Sequence, residues 1–179
     1  SNNFTITNGV VTLASGTTTI GGNFTNSGGT FMHNNGLVVL SATASGKTIQ
    51  PNGSDFYNIE LNGVGGAWTF SGTSATTTNN FTLTAGSTTL PSSVLAVGGS
   101  FVNTGGSFNH NNSLLYLFAT ASGKLVVPGG SSLSGLHFNG AGGEWSMNTA
   151  TTTVLRNFTI QNGSTTLPTQ SLTLGGSFI

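Results

Sequence analysis

The chain repeats itself without a gap, and no other feature restricts its fold as much. Asn3-Phe4-Thr5-Ile6 returns as Asn80-Phe81-Thr82-Leu83 and as Asn157-Phe158-Thr159-Ile160. Gly21-Gly22-Asn23-Phe24 returns as Gly98-Gly99-Ser100-Phe101 and Gly175-Gly176-Ser177-Phe178, and Ala42 to Lys47 (ATASGK) returns unchanged as Ala119 to Lys124. Trp68 maps to Trp145 and Pro51 to Pro128. About half of the aligned positions are identical and none needs an insertion. Self-similarity at a long fixed period marks a stack of equivalent units, in which an inserted residue would bulge the wall. The units are 3–79, 80–156 and a partial 157–179, read as one continuous domain over 1–179.

Within each period, apolar residues alternate with polar ones in short runs separated by Gly, Asn and Pro. Phe4 and Ile6, Val11 and Leu13, Ile59 and Leu61, and Trp68 and Phe70 each lie two apart, the spacing of one buried strand face. Thr, Val, Gly and Asn are poor helix formers, and no window has helical periodicity. The expected fold is all-β: a parallel β-solenoid, three-sided and of the commoner right-handed type. About nine strand-like runs per period predict three coils of roughly 25 to 26 residues, about seven coils in all, with coils of about 19 residues as the alternative. An antiparallel sandwich or barrel also has short, evenly spaced strands, but gapless repetition favours the solenoid. The recurrent Gly pairs and Asn34-Asn35 are expected at corners, where glycine tolerates positive φ.

Composition removes several functions. Charged residues are 3% of the chain, against roughly 25% in an average soluble domain. They are Lys47, Lys124, Arg156, Asp55, Glu60 and Glu144, with zero net charge. No basic surface exists to displace counterions from a phosphate backbone, so no nucleic-acid partner is expected. No stretch suits a bilayer-spanning helix, and membrane insertion is not expected. Cysteine is absent, which leaves backbone pairing and stacked side chains to hold the fold.

The segment Gly21 to Phe31 (GGNFTNSGGTF), followed by His33-Asn34-Asn35 and by Asn80 to Thr84 (NFTLT), resembles repeats of large bacterial secreted surface proteins of the adhesin type. Their parallel β-helix architecture is related to that of filamentous haemagglutinins and pectin-lyase-like solenoids. The resemblance spans the chain and implies an extracellular or cell-surface, rod-like, non-catalytic segment without a cofactor.

No catalytic, cofactor-binding or metal-ligating set stands out. Asp55 and Glu60 are the one close carboxylate pair, and their odd spacing puts them on opposite faces of any shared strand. His33 and His110 each precede Asn-Asn, but equivalent phases three coils apart would lie roughly 14 Å from each other, too far for shared coordination. They are read as turn residues. Asn3-Phe4-Thr5 and Asn23-Phe24-Thr25 have the form of glycosylation sequons but are read as a corner Asn leading into a strand. The candidate site is instead a contact ridge. Leu37, Val39, Leu114, Tyr116 and Phe118 belong to all-apolar runs, and if Leu115 and Leu117 point inward these five point out. Such a ridge fits lateral contact with another copy of the chain.

Two functional classes follow. The first is a structural segment of a bacterial extracellular fibre, sheath or adhesin stalk, whose partners are other copies or further repeats of itself. The second is a ligand-binding solenoid for polysaccharide or ice. Thr17-Thr18-Thr19, Thr76-Thr77-Thr78, Thr5-Ile6-Thr7 and Thr82-Leu83-Thr84 resemble the Thr-x-Thr ranks of ice-binding solenoids, though Val94, Leu95 and Ala96 replace Thr17 to Thr19 one period on.

Overall fold

The computed structural model of the chain describes residues 2–147 and 151–179. Among these the secondary structure is strand and turn without helix, and the strands stack as a β-solenoid of about 8 turns. Every strand pairing among the described residues is parallel, which removes the sandwich and the barrel built from hairpins. At about 4.8 Å per coil the stack is about 38 Å long.

Each coil contributes to three ladders. The first begins Phe4, Phe24, Ile49, Phe70. The second begins Val11, Phe31 and later runs Leu95, Leu115, Leu136, Phe158. The third runs Thr18, Val38, Ile59, Phe81, Phe101, Val126. These register partners define a coil that is shorter, at most steps, than the sequence pattern predicts. The reason is that many strands have only 3 or 4 residues, and about eight coils therefore replace the expected seven.

The period and the coil do not match. Phe4 lies in the first ladder, whereas its equivalent Phe81 pairs with Ile59 and Phe101 in the third, and the next equivalent, Phe158, pairs with Leu136 in the second. Eleven strand-to-strand steps separate Phe4 from Phe81, at three per coil, so one period makes three and two-thirds coils. Each repeat is thus turned by a third of a revolution about the axis. The expectation of three coils per period placed equivalent residues directly above one another, and the ladders correct it.

The interior tolerates this rotation because each ladder receives the same interlocks. Phe4 stacks on Phe24 at 5.1 Å, Phe81 on Phe101 at 5.2 Å, and Phe158 on Phe178 at 5.0 Å, with interplanar angles of 16°, 13° and 12°. Beside each pair a corner side chain ties two coils: Asn23 N donates to Asn3 Oδ1 (2.9 Å), Ser100 N to Asn80 Oδ1 (2.9 Å) and Ser177 N to Asn157 Oδ1 (3.1 Å). The buried amides Asn26 and Asn103 reach the next coil, donating to the carbonyls of Pro51 and Pro128. Inward rows such as Ile20, Leu40, Leu61 and Leu83 are buried throughout, an alternation consistent with strands packed on one face.

The expected corner glycines are of two kinds. Gly22 is not at positive φ; a Cβ there would collide with Asn3 Oδ1 of the coil below. Close approach of two coils, not backbone handedness, is what demands glycine at this point. Positive φ falls on Gly65 and its equivalent Gly142, where glycine's freedom is used as expected, and on Asn34, Asn35, Asn111 and Asn112, consistent with asparagine's tolerance of that region.

Trp68 and Trp145 are buried under the bends of the two longest strands, Asn58–Phe70 and Gly135–Met147. Trp68 is the register partner of Thr88, and the Thr88 hydroxyl is buried without a hydrogen-bond partner. Replacing an unpaired buried hydroxyl by a methyl group of the same shape removes a desolvation cost. Thr88→Val is expected to raise the midpoint of chemical unfolding, by about 1 kcal/mol in stability, while Phe101→Ala lowers stability by about 3 to 5 kcal/mol. Urea titration followed by far-UV circular dichroism checks both.

Candidate functional site

The ridge residues do not form one stripe. Leu37 and Val39 face outward on the third ladder, and Leu114 and Tyr116 on the second, with Phe118 just beyond them. The shift of one ladder per repeat separates the two groups by a third of a turn. Leu115 and Leu117 point inward and are buried, as the alternation requires. All five ridge residues are half-buried. Tyr116 is covered in part by Phe118 (ring centroids 6.2 Å) and by the edge of His137 (5.2 Å), and Asn139 donates to its hydroxyl at 2.8 Å. The more exposed apolar side chains are others, among them Val10, Met32, Val64 and Leu155.

The threonine runs are also divided. Thr17 and Thr19 on the third ladder are followed one coil later by Leu37 and Val39. Thr76 on the second ladder is followed by Ala96, and Thr82 lies between Glu60 and Val102 on the third. Thr5 pairs with Thr25 on the first. Among the described residues the longest outward threonine rank is one that the sequence runs do not reveal: Thr48, Thr69 and Thr89 in three successive coils, ended by Asn109. Its members recur once per coil, so only knowledge of the coil length would expose it.

Asp55 lies outside the strands, ahead of Asn58–Phe70, which carries Glu60, so the two do not share a strand. The Glu60 carboxylate accepts from the Thr84 hydroxyl (2.8 Å) and from Asn62 (3.1 Å). Asp55 instead lines a shallow groove with Met32 and His33. His33 and His110 serve their turns, each Nδ1 accepting the backbone N–H two residues on, from Asn35 (3.0 Å) and Asn112 (3.1 Å). They are three and two-thirds coils apart, roughly 18 Å along the axis. The side-chain oxygens of the sequon residues Asn3 and Asn23 are engaged by Asn23 N and Thr48 N of the following coil.

One surface region combines a hollow with unusual chemistry. A groove of about 510 Å³ lies where the chain turns onto the second ladder, lined by Gly135, Leu114, Leu155, His137 and Arg156 among others. Arg156 is the one arginine of the chain. Its Nη2 donates to Asn112 Oδ1 at 3.3 Å, and His137 Nε2 lies 3.1 Å from Gln161 Oε1. Comparison of the two full repeats explains the hollow. The framework residues Asn112, Leu114 and Asn157 match Asn35, Leu37 and Asn80, while Gly135, His137, Leu155, Arg156, Tyr116 and Gln161 stand where the first repeat has Asn58, Glu60, Thr78, Asn79, Val39 and Thr84. Sequence reasoning does not assemble these six, because they sit on three coils and meet only through the ladder register.

No protein-family model matches the chain, no curated protein matches it, and no solved structure matches it.

In the first repeat, Thr84 ties the Glu60 carboxylate to the following coil. Thr84→Val is expected to reduce stability at neutral pH by about 1.5 kcal/mol, the low end for hydrogen bonds to charged groups because the pair is partly exposed. A urea titration that leaves the midpoint unchanged would contradict this role.

Proposed function

We propose that the chain is a structural segment, a β-solenoid rod of a bacterial extracellular fibre, sheath or adhesin stalk that joins further copies or repeats of itself. The observation that carries this reading is the unbroken parallel pairing along the axis, with the same aromatic stack and corner bridge supplied to each ladder in turn. Backbone hydrogen bonds that run along the axis oppose extension of the rod, and every further repeat finds a matching platform one ladder round. A near-absence of charge suits close side-by-side packing, since like-charge repulsion between neighbours is lacking.

The rotation gives the lateral contact a definite form. The ridge of one repeat, Leu37 and Val39, and the ridge of the next, Leu114, Tyr116 and Phe118, point to different neighbours. Equivalent contacts return to one side only after three repeats. Neighbouring rods either wind about one another or pack with a neighbour against each of three sides. Electron microscopy of concentrated protein should reveal filaments or lateral bundles, and Tyr116→Lys with Phe118→Lys should disperse the bundles while the circular dichroism spectrum is retained. Discrete monomers at high concentration would count against the reading.

The second reading, a ligand-binding solenoid, has its own support in the rank Thr48, Thr69, Thr89 for ice and in the groove at Gly135 for a saccharide. Three threonines on a face make a short rank. Thermal hysteresis abolished by Thr69→Tyr would favour the ice variant, and its absence in the wild-type chain would exclude that variant.

A further inference from the structure

We propose that the groove at Gly135 is a binding site for a carboxylated sugar, in which the Arg156 guanidinium takes the carboxylate and the aliphatic walls take the C–H face of the ring. The groove's volume of about 510 Å³ falls within the roughly 300 to 1,000 Å³ of small-molecule sites. Its walls are of two kinds. Leu114 and Leu155 present apolar surface, and Asn112 and Thr159 present an amide and a hydroxyl. This mixture suits a pyranose, which has apolar C–H patches and a rim of hydroxyls.

The charge decides the class of sugar. Among the described residues Arg156 lines the groove and no carboxylate does, and the protein group bonded to the guanidinium is the neutral Asn112 amide at 3.3 Å. A planar guanidinium is a fork for a carboxylate, with two parallel N–H donors. A neutral sugar would leave that fork without an acceptor of opposite charge. A metal ion would find one imidazole and no carboxylate, and a nucleic acid would find a single cation where several are needed.

The repeat comparison makes the groove a built feature rather than a gap in the wall. At the matching place one repeat earlier, Asn58 fills the Gly135 position, Glu60 supplies a negative charge where His137 stands, and Asn79 replaces Arg156. There the Asn58 Oδ1 accepts from both Asn79 Nδ2 and Asn80 N, so the hollow is occupied by the protein's own side chain. In the second repeat the polar plug is lost, the charge is reversed, and two further replacements steady the imidazole. Tyr116 meets His137 edge to face, and Gln161 is within hydrogen-bond distance of it. The φ of Gly135 is not positive, and an added Cβ would lie 3.2 Å from Leu114 Cδ1, so the glycine leaves room for that flexible side chain at the groove wall.

This inference rests on the second, saccharide-binding reading and deepens it by naming the class of sugar; its failure would leave the rod reading intact. Its test uses the full chain and three probes: methyl glucuronide, the neutral methyl glucoside and acetate, each titrated while amide resonances are followed by nuclear magnetic resonance. Methyl glucuronide is expected to shift Leu114, Gly135, His137 and Arg156 saturably, and methyl glucoside to bind at least about tenfold more weakly, the lower end for one charge-assisted hydrogen bond. Acetate alone should leave the leucines unmoved. Arg156→Asn and Gly135→Asn each install a residue that the first repeat already accommodates at that place, and each is expected to weaken glucuronide binding by about tenfold or more. The reverse graft, Asn58→Gly with Glu60→His and Asn79→Arg, is expected to raise the stoichiometry from one to two. The proposal is overturned if wild-type protein gives no saturable shift with methyl glucuronide, if Arg156→Asn binds it as tightly, or if methyl glucoside or acetate reproduces the same response.

Discussion

Everything in this molecule depends on parallel, in-register pairing between one coil and the next. That pairing sets an axial spacing of about 4.8 Å, and the spacing then dictates which side chains fit the interior. Flat aromatic rings stack at 5.0 to 5.2 Å, close to the coil spacing, so a phenylalanine above a phenylalanine fills the core without a void. The same approach leaves no room for a Cβ at Gly22 beside the preceding coil, and it brings an asparagine oxygen at one corner within 2.9 Å of the next coil's N–H. Glycine, phenylalanine and asparagine recur in the sequence because one geometric constraint needs all three.

The second constraint is a mismatch. A period of three and two-thirds coils cannot superpose its repeats. Any interior residue retained from one repeat to the next must work on every ladder in turn, which restricts the framework to interlocks indifferent to which side they occupy. Outward residues carry no such restriction. They are free to diverge, and the replacements that exchange Asn58, Glu60 and Asn79 for Gly135, His137 and Arg156 use that freedom. A solenoid whose inner scaffold repeats while its surface varies can change its outer residues without disturbing the interlocks that hold it together.

Much of this architecture is legible in the residues alone. Gapless repetition and the period-two alternation point to a parallel solenoid, and the inward placing of Leu115 and Leu117 follows from alternation. The coil length is not legible. It depends on how few residues a corner needs, and the long strand Asn58–Phe70 crosses a corner at Gly63 to Gly66 without a break, which no count of apolar runs detects. Without the coil length, the ladder shift, the separation of Leu37 from Leu114, and the rank Thr48, Thr69, Thr89 all stay hidden. Residues such as Gly135, Arg156 and Tyr116 meet only across coils, so their assembly cannot be read from spacing within a run.

The central claim is that successive coils lie in register at the short step that sets Thr69 beside Thr89, not at the longer one that apolar runs suggest. Since the chain has no cysteine, paired cysteines test it by oxidation. Outward register partners in adjacent coils fall within the roughly 4.4 to 6.8 Å between Cα atoms that a disulfide spans. Thr69→Cys with Thr89→Cys should therefore cross-link within one chain. Thr69→Cys with Val94→Cys, the pair that the longer coil would oppose, should not, because Val94 is the register partner of Ser74 on another ladder. Cross-linking of the second pair, or failure of the first in correctly folded protein, would contradict the account.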